Sequence, residues 1–141
     1  MTPPSTAPAV FLDTSYFIAL FNRRDRFHAR AVEAARRFAH GNTPMMTTDA
    51  VLIEIGNALS PLPARALAAQ IIAAVREAAA IEVARVDAPL FERGLALFRQ
   101  RMDKEWGLTD CISFALMQQR GVTQALTADH HFEQAGFQIV L

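Results

Sequence analysis

Cysteine is almost absent from this sequence, and so is any imbalance of charge. Cys111 is the single thiol in 141 residues, which leaves no disulfide framework and no thiolate set for a structural zinc, and fits a reducing compartment. Lys plus Arg equals Asp plus Glu at 14 each, so no overall positive field draws the chain to nucleic acid, and any such partner must be held locally. Neither a Gly-rich phosphate loop nor a dinucleotide fingerprint is present. No uncharged apolar run reaches membrane-spanning length, and the stretch from Met1 to Pro8 has neither a basic start nor a hydrophobic signal segment. Residues 1–8 read as a flexible leader and 9–141 as one domain, with a cytoplasmic location and no membrane contact expected.

What the chain has in quantity is apolar surface: 52% hydrophobic residues suffice for a real core in one domain of this length. The short run Ala9-Val10-Phe11-Leu12 is wholly apolar, as in a central parallel strand buried on both faces, and Asp13 ends it. Thr14 or Ser15 can cap a short helix from Tyr16 to Phe21; a basic connection leads to a second helix near Phe27 to Ala39, closed by Gly41-Asn42. Pro44 to Thr48 reads as a second strand. Thr48 or Asp49 then caps a helix to about Leu59, with Glu54 inside it, which Pro61 and Pro63 keep from continuing. From Ala64 to Ala79 the apolar residues follow a helical stripe. Ile81 to Val86 is a third strand, Leu90 to Phe98 lie on an amphipathic helix ending near Met102, and Gln124 to Thr127 and Phe137 to Leu141 are the fourth and fifth strands. This alternation predicts an α/β domain with a central, mainly parallel five-stranded sheet flanked by helices.

The stretch from Asp103 to Leu116 sets acidic side chains at the approach to an otherwise apolar helix, which Thr109 is placed to cap and Gly121 to stop. Asp110 then falls in the first turn, where the helix dipole favours a carboxylate whatever its function. Its context adds weight, because Asp13 and Asp129 follow apolar strands and Glu54 lies in an apolar helix. Open parallel sheets bind ligands beyond the carboxyl ends of their strands, so the four acids are candidates for one cation pocket.

At these residues the chain resembles the PIN-domain ribonucleases, in particular the VapC toxins of type II toxin–antitoxin modules. The resemblance rests on Asp13-Thr14-Ser15, on Glu54, on Leu108-Thr109-Asp110-Cys111-Ile112-Ser113-Phe114-Ala115 and on Thr127-Ala128-Asp129-His130-His131-Phe132, in that order from about Val10 to Leu141. It implies strand order 3-2-1-4-5, catalytic roles for Asp13, Glu54, Asp110 and Asp129, and Asp103 as an accessory acid. Gly107 stands where Ser is more usual. A metal-dependent endoribonuclease is expected, with a cognate antitoxin, an RNA substrate and a homodimer as its partners. The rivals are a non-catalytic PIN-like RNA-binding or scaffold module and a housekeeping RNA-processing nuclease. A receiver domain wants an acidic pair near the end of the first strand, and an aspartyl-phosphate phosphatase wants an acid where Ser15 stands.

Phosphodiester cleavage calls for an activated water and neutralised phosphoryl oxygens, which carboxylate-held Mg²⁺ or Mn²⁺ can supply. Asp13, Asp110 and Asp129 are assigned the ligand roles. Glu54, at the edge of its helix's apolar stripe, orients a water or holds a second ion, unless it is an ordinary rim residue. Thr14, Ser113 and Thr127 are candidates to hydrogen-bond those carboxylates, Ser113 first because it lies one turn beyond Asp110. His130 and His131 read as a solvated turn. Arg26, Arg30 and Arg37 share a helix face with Glu33 and read as a salt-bridged solvent face. Arg99, Arg101 and Lys104 are candidates for gripping RNA phosphates, and Trp106 either stacks on a base or anchors packing.

Overall fold

The computed structural model describes residues 8–141; the expected leader falls, apart from Pro8, outside the described residues. Five strands form one sheet in the order β3-β2-β1-β4-β5, and every pairing in it is parallel. The strands are β1 (Val10–Leu12), β2 (Met45–Thr48), β3 (Ile81–Ala84), β4 (Gln124–Leu126) and β5 (Gln138–Ile139). Among the described residues seven helices connect them: α1 (Thr14–Phe21), α2 (His28–His40), α3 (Asp49–Ala58), α4 (Leu62–Glu77), α5 (Ala88–Gln100), α6 (Leu108–Arg120) and α7 (His131–Gln134). Strand order reverses between β1 and β4, where a parallel sheet leaves a crevice at its carboxyl edge. No described helix is long and apolar enough to cross a membrane.

The central strand is as the apolar run requires, with Val10, Phe11 and Leu12 all fully buried. Element boundaries differ from the sequence expectation where local bonding competes. Helix α6 starts at Leu108 with Gly107 at its cap, not Thr109. The reason is Asp110, whose Oδ2 accepts the Gly107 N–H at 3.3 Å and so satisfies an end donor from inside the first turn. Helix α1 likewise takes Asp13 as its cap residue, and Thr14 and Ser15 lie within the helix. Helix α4 begins at Leu62, so Pro63 sits in the first turn, where its missing N–H costs nothing. The strands are shorter than their apolar runs because pairing partners end first: β3 stops at Ala84, opposite Thr48.

Helix α6 is the spine behind the crevice. Cys111, Ile112, Phe114, Ala115, Leu116 and Met117 are all buried, and Phe114 makes edge contacts with Trp106 and Phe132 at centroid separations of 5.1 and 4.9 Å. Helix α5 closes over α6 at Gly94, where an added Cβ would lie 2.5 Å from Ile112 Cγ1 and 3.0 Å from Ile112 Cα. Only glycine permits that approach. Gly94→Ala is expected to lower stability by about 1–3 kcal/mol through overpacking, read as a lowered urea midpoint with unchanged slope. A midpoint at the wild-type value would show that the two helices separate freely.

Candidate active site

Asp13 leaves β1 at its carboxyl end and sits at the cap of α1, yet its side chain makes no cap bond. The residue is 3% exposed. Its Oδ2 accepts a hydrogen bond from Thr127 Oγ1 at 2.8 Å and lies 3.3 Å from the Ser15 hydroxyl. Its Oδ1 is buried with no partner among the described residues. Buried polar atoms are nearly always satisfied, so this oxygen calls for a proton or a cation.

Thr127, just past β4, does double duty: its Oγ1 also accepts the Asp129 N–H at 2.9 Å. The Ser15 Oγ lies 3.1 Å from Thr127 Oγ1 and accepts the Ala128 N–H at 2.9 Å. Together these bonds lock the end of β4 to the start of α1, across the strand-order reversal. Asp129 turns its Oδ1 to the His131 N–H at 2.9 Å, fixing the first turn of α7. His131 Nδ1 then lies 3.2 Å from Asp110 Oδ2 and 3.4 Å from Asp129 Oδ1. On the other wall, Thr14 Oγ1 donates to Glu54 Oε1 at 2.6 Å, tying α1 to α3.

The carboxylates feel one another. Burial pushes the Asp13 carboxyl up to about 7, with repulsion from Asp110 and Glu54 adding and the Thr127 bond opposing. Burial also raises Asp110, reinforced by repulsion from Asp129 and Glu54 and opposed by the His131 contact. Repulsion thus couples Asp13 with Asp110 and Glu54, and Asp110 with Asp129 and Glu54. Carboxylates grouped around an unpartnered buried oxygen fit a hard divalent cation, which takes oxygen ligands. Asp129, His130 and His131 also bring one ligand atom each within 4.8 Å of one another, but His130 is exposed. A closed zinc site takes four N or S donors, which this trio lacks.

Several expectations need correcting. Ser113 is fully buried, but its hydroxyl donates to Thr109 O at 3.0 Å, back onto its own helix, rather than to a carboxylate. His131 is no solvated turn residue; it joins two acids of the site. Its neighbour His130 is the exposed one, its side chain 72% accessible. Asp103 points to Arg101, not to the acidic pocket, with two bonds of 3.0 Å. Trp106 is 5% exposed and donates from Nε1 to Gln134 Oε1, so it is a packing anchor and not a free stacking platform. Lys104 Nζ lies 4.0 Å from Asp103 Oδ2, and Arg99 is exposed. The arginines of the α1–α2 region form no ion pair with Glu33. Arg26 and Arg30 lie over the Phe27 ring, and Arg37 lies over Phe38 while donating to Val140 O. An exposed helical ion pair is worth only about 0.3–0.5 kcal/mol, so a ring face can displace it.

Ser15 and His131 are the residues that reading by pattern missed. Each stands two positions beyond an acid, within the same short motif, and that proximity was the available signal.

The raised Asp13 carboxyl has a measurable sign. It ordinarily titrates near 3.8 and here near 7, so between those values the folded, metal-free chain holds a proton that the unfolded chain has released. Stability from this group is full below the ordinary value and is lost as pH rises through 7. In EDTA the melting temperature should fall between about pH 4 and about pH 7, and Asp13→Asn should flatten that fall. Parallel profiles for the two proteins would mean that Asp13 titrates as an ordinary surface acid.

The sequence of residues 10–138 matches the PIN domain. The 23S rRNA-specific endonuclease VapC20 of Mycobacterium tuberculosis H37Rv is 32% identical over 128 residues, which cover 91% of this chain and 95% of that protein. The crystal structure of M. tuberculosis VapC20, a sarcin-ricin loop cleaving toxin, aligns with a TM-score of 0.79 at 30% identity, covering 91% of this chain and 95% of that one. VapBC2 from Rickettsia felis, bound to a DNA fragment from its promoter, aligns with a TM-score of 0.70 over 94% of this chain and 97% of that one; at 12% identity it shares the fold alone. With the family's domain matched across nearly the whole chain and a relative this similar along its length, the protein belongs to the PIN domain family.

Proposed function

We propose that this protein is a Mg²⁺- or Mn²⁺-dependent endoribonuclease, the toxin of a type II toxin–antitoxin pair, working in the cytoplasm. The observation that carries the reading is the unpartnered, buried Oδ1 of Asp13 in a pocket with three more carboxylates. Asp13, Asp110 and Asp129 would hold the ion, and Glu54 would hold a second ion or orient water. When bound, the ion supplies Lewis-acid neutralisation of phosphoryl charge and eases deprotonation of water at neutral pH.

The chain's own residues do the rest. Thr127 and Ser15 fix Asp13 Oδ2, leaving Oδ1 free to face the pocket. Thr14 fixes the direction of Glu54. His131, with Nδ1 against both Asp110 and Asp129, bridges those two acids. Such outer partners commonly change metal affinity or activity by about 10–100-fold when removed.

The antitoxin reading has its own support in an apolar groove between α1, α2 and α4, lined by Tyr16, Phe17, Leu20, Phe21, Ala35 and Val75 among others. Its shape suits an amphipathic partner helix. Phe17 itself is 1% exposed and belongs to the core, so Leu20 and Phe21 are the residues that offer surface. The relative's printed specificity makes 23S rRNA the first RNA to try.

Cleavage should require added Mg²⁺ or Mn²⁺ and stop in EDTA. Asp13→Asn should lower the rate by more than about 100-fold and Thr127→Val by about 10–100-fold. Inducing the wild-type chain alone should arrest growth, and equal expression of Asp13→Asn should not. Undiminished cleavage in chelator across several RNAs would sink the metal-nuclease reading. A pair of melting curves adds a test free of substrate: Mn²⁺ should raise the wild-type midpoint, and Asp110→Asn should lose most of that gain. An equal response in both would remove Asp110 from the ligand set.

A further inference from the structure

Residues 101–107 join α5 to α6 and carry a cation held in an unusual way. Arg101 donates from Nε to Asp103 Oδ1 and from Nη2 to Asp103 Oδ2, each at 3.0 Å. Its guanidinium also lies over the Trp106 ring, 5.0 Å from the centroid. Trp106 is in turn anchored: it is 5% exposed, meets Phe114 edge-on, and donates to Gln134 at the end of α7. The next residue, Gly107, gives its N–H to Asp110 Oδ2 in the acidic pocket. A short run of contacts therefore links Arg101 to the rim of that pocket.

The pair is not a stability device. Its side chains are 40% and 61% exposed, and exposed ion pairs contribute little to folding. What the contact does is fix direction. A guanidinium has five N–H donors, and the carboxylate uses one on Nε and one on Nη2. The outer edge, with the paired N–H groups of Nη1 and Nη2, stays open, and that edge matches two phosphate oxygens in a fork. Ring stacking below and a carboxylate at the side would hold a long side chain in one rotamer, so little entropy remains to be lost on binding phosphate. The Arg101 guanidinium also keeps the Asp103 carboxyl at about 2, so the clasp stays charged across the working pH range.

We propose that Arg101 is an RNA-backbone clamp at the rim of the active site and that Asp103 is its positioning residue rather than an acid of the metal pocket. This rests on the endoribonuclease reading for its ligand. Lys104, 4.0 Å from the same carboxylate, adds a second cation to the rim, while exposed Glu105 offsets part of the charge.

The test uses the full chain and a short fluorescein-labelled RNA hairpin in EDTA, where no cleavage occurs. Arg101→Gln should raise Kd about tenfold and lower the slope of log Kd against log salt by about 1. Asp103→Asn, which keeps the cation but frees it, should raise Kd about threefold with the salt slope unchanged. Arg120→Gln, from the bidentate pair with Glu82 on the far helix end, is the control and should bind as wild type does. The second readout is the Mn²⁺-induced rise in melting temperature, which Asp103→Asn should retain in full. Loss of that rise in Asp103→Asn would overturn the proposal by returning Asp103 to the metal pocket. Wild-type Kd and salt slope in Arg101→Gln would overturn it too, as would a wild-type chain that does not bind the hairpin. A wild-type melting curve indifferent to Mn²⁺ would instead remove the metal reading, with the Arg101→Gln comparison still judging the clamp.

Discussion

One carboxylate taken out of water sets the terms for the rest of this structure. Asp13 stands at the end of the central strand with one oxygen bonded and the other without a partner. Burying a charge without compensation is costly enough that the group holds its proton instead, and its carboxyl is pushed up to about 7 for that reason. An acid left in that state is a poor structural element and a good cation ligand. Its neighbours add to the cost, since Asp110 and Glu54 both repel it. The pocket is thus held together by the fold around it and not by its own contents.

That holding is done by short polar bonds laid across elements far apart in the chain. Thr127 reaches Asp13 from 114 positions away, and Thr14 reaches Glu54 from 40. The first joins the end of β4 to the end of β1 and the second joins the start of α1 to the middle of α3, so the crevice cannot open without breaking them. Behind it, α5 packs closely on α6 where Gly94 meets Ile112. Asp110 lies in the first turn of the same helix, two residues before that contact.

The fold was legible from the sequence because its signals are local and strong. A three-residue apolar strand, an acid at its end and helices between strands left few alternatives, and β1 and β4 pair as the resemblance implied. The acids were legible for the same reason: each interrupts an apolar pattern. What could not be read was the direction of side chains. Ser113 lies on the side of α6 that suggested a carboxylate partner, yet an intrahelical carbonyl one turn back was closer. Arg30 and Arg37 had the spacing for ion pairs with Glu33, but two phenylalanine rings compete for them. From sequence His131 reads as part of a turn because nothing local shows that α6 passes beside it; the packing of Phe114 on Phe132 joins the two helices there.

A chain with as many acids as bases has to meet a polyanion at a place where acids are already concentrated. An uncompensated cluster of four carboxylates would repel RNA over roughly a Debye length, about 8 Å at physiological salt. A bound cation removes part of that repulsion at the centre, but not at the rim, where phosphates on either side of the cleaved bond must lie. Cations there have to be few and fixed, since a broad positive face would bind RNA without regard to the pocket. Directing one guanidinium with a carboxylate and a ring meets that requirement: the pair adds no net charge, yet its open edge presents a fork to one phosphate at a time. On this argument the even balance of charge in the sequence is compatible with RNA as substrate, provided that positive charge is placed by contacts and not by number.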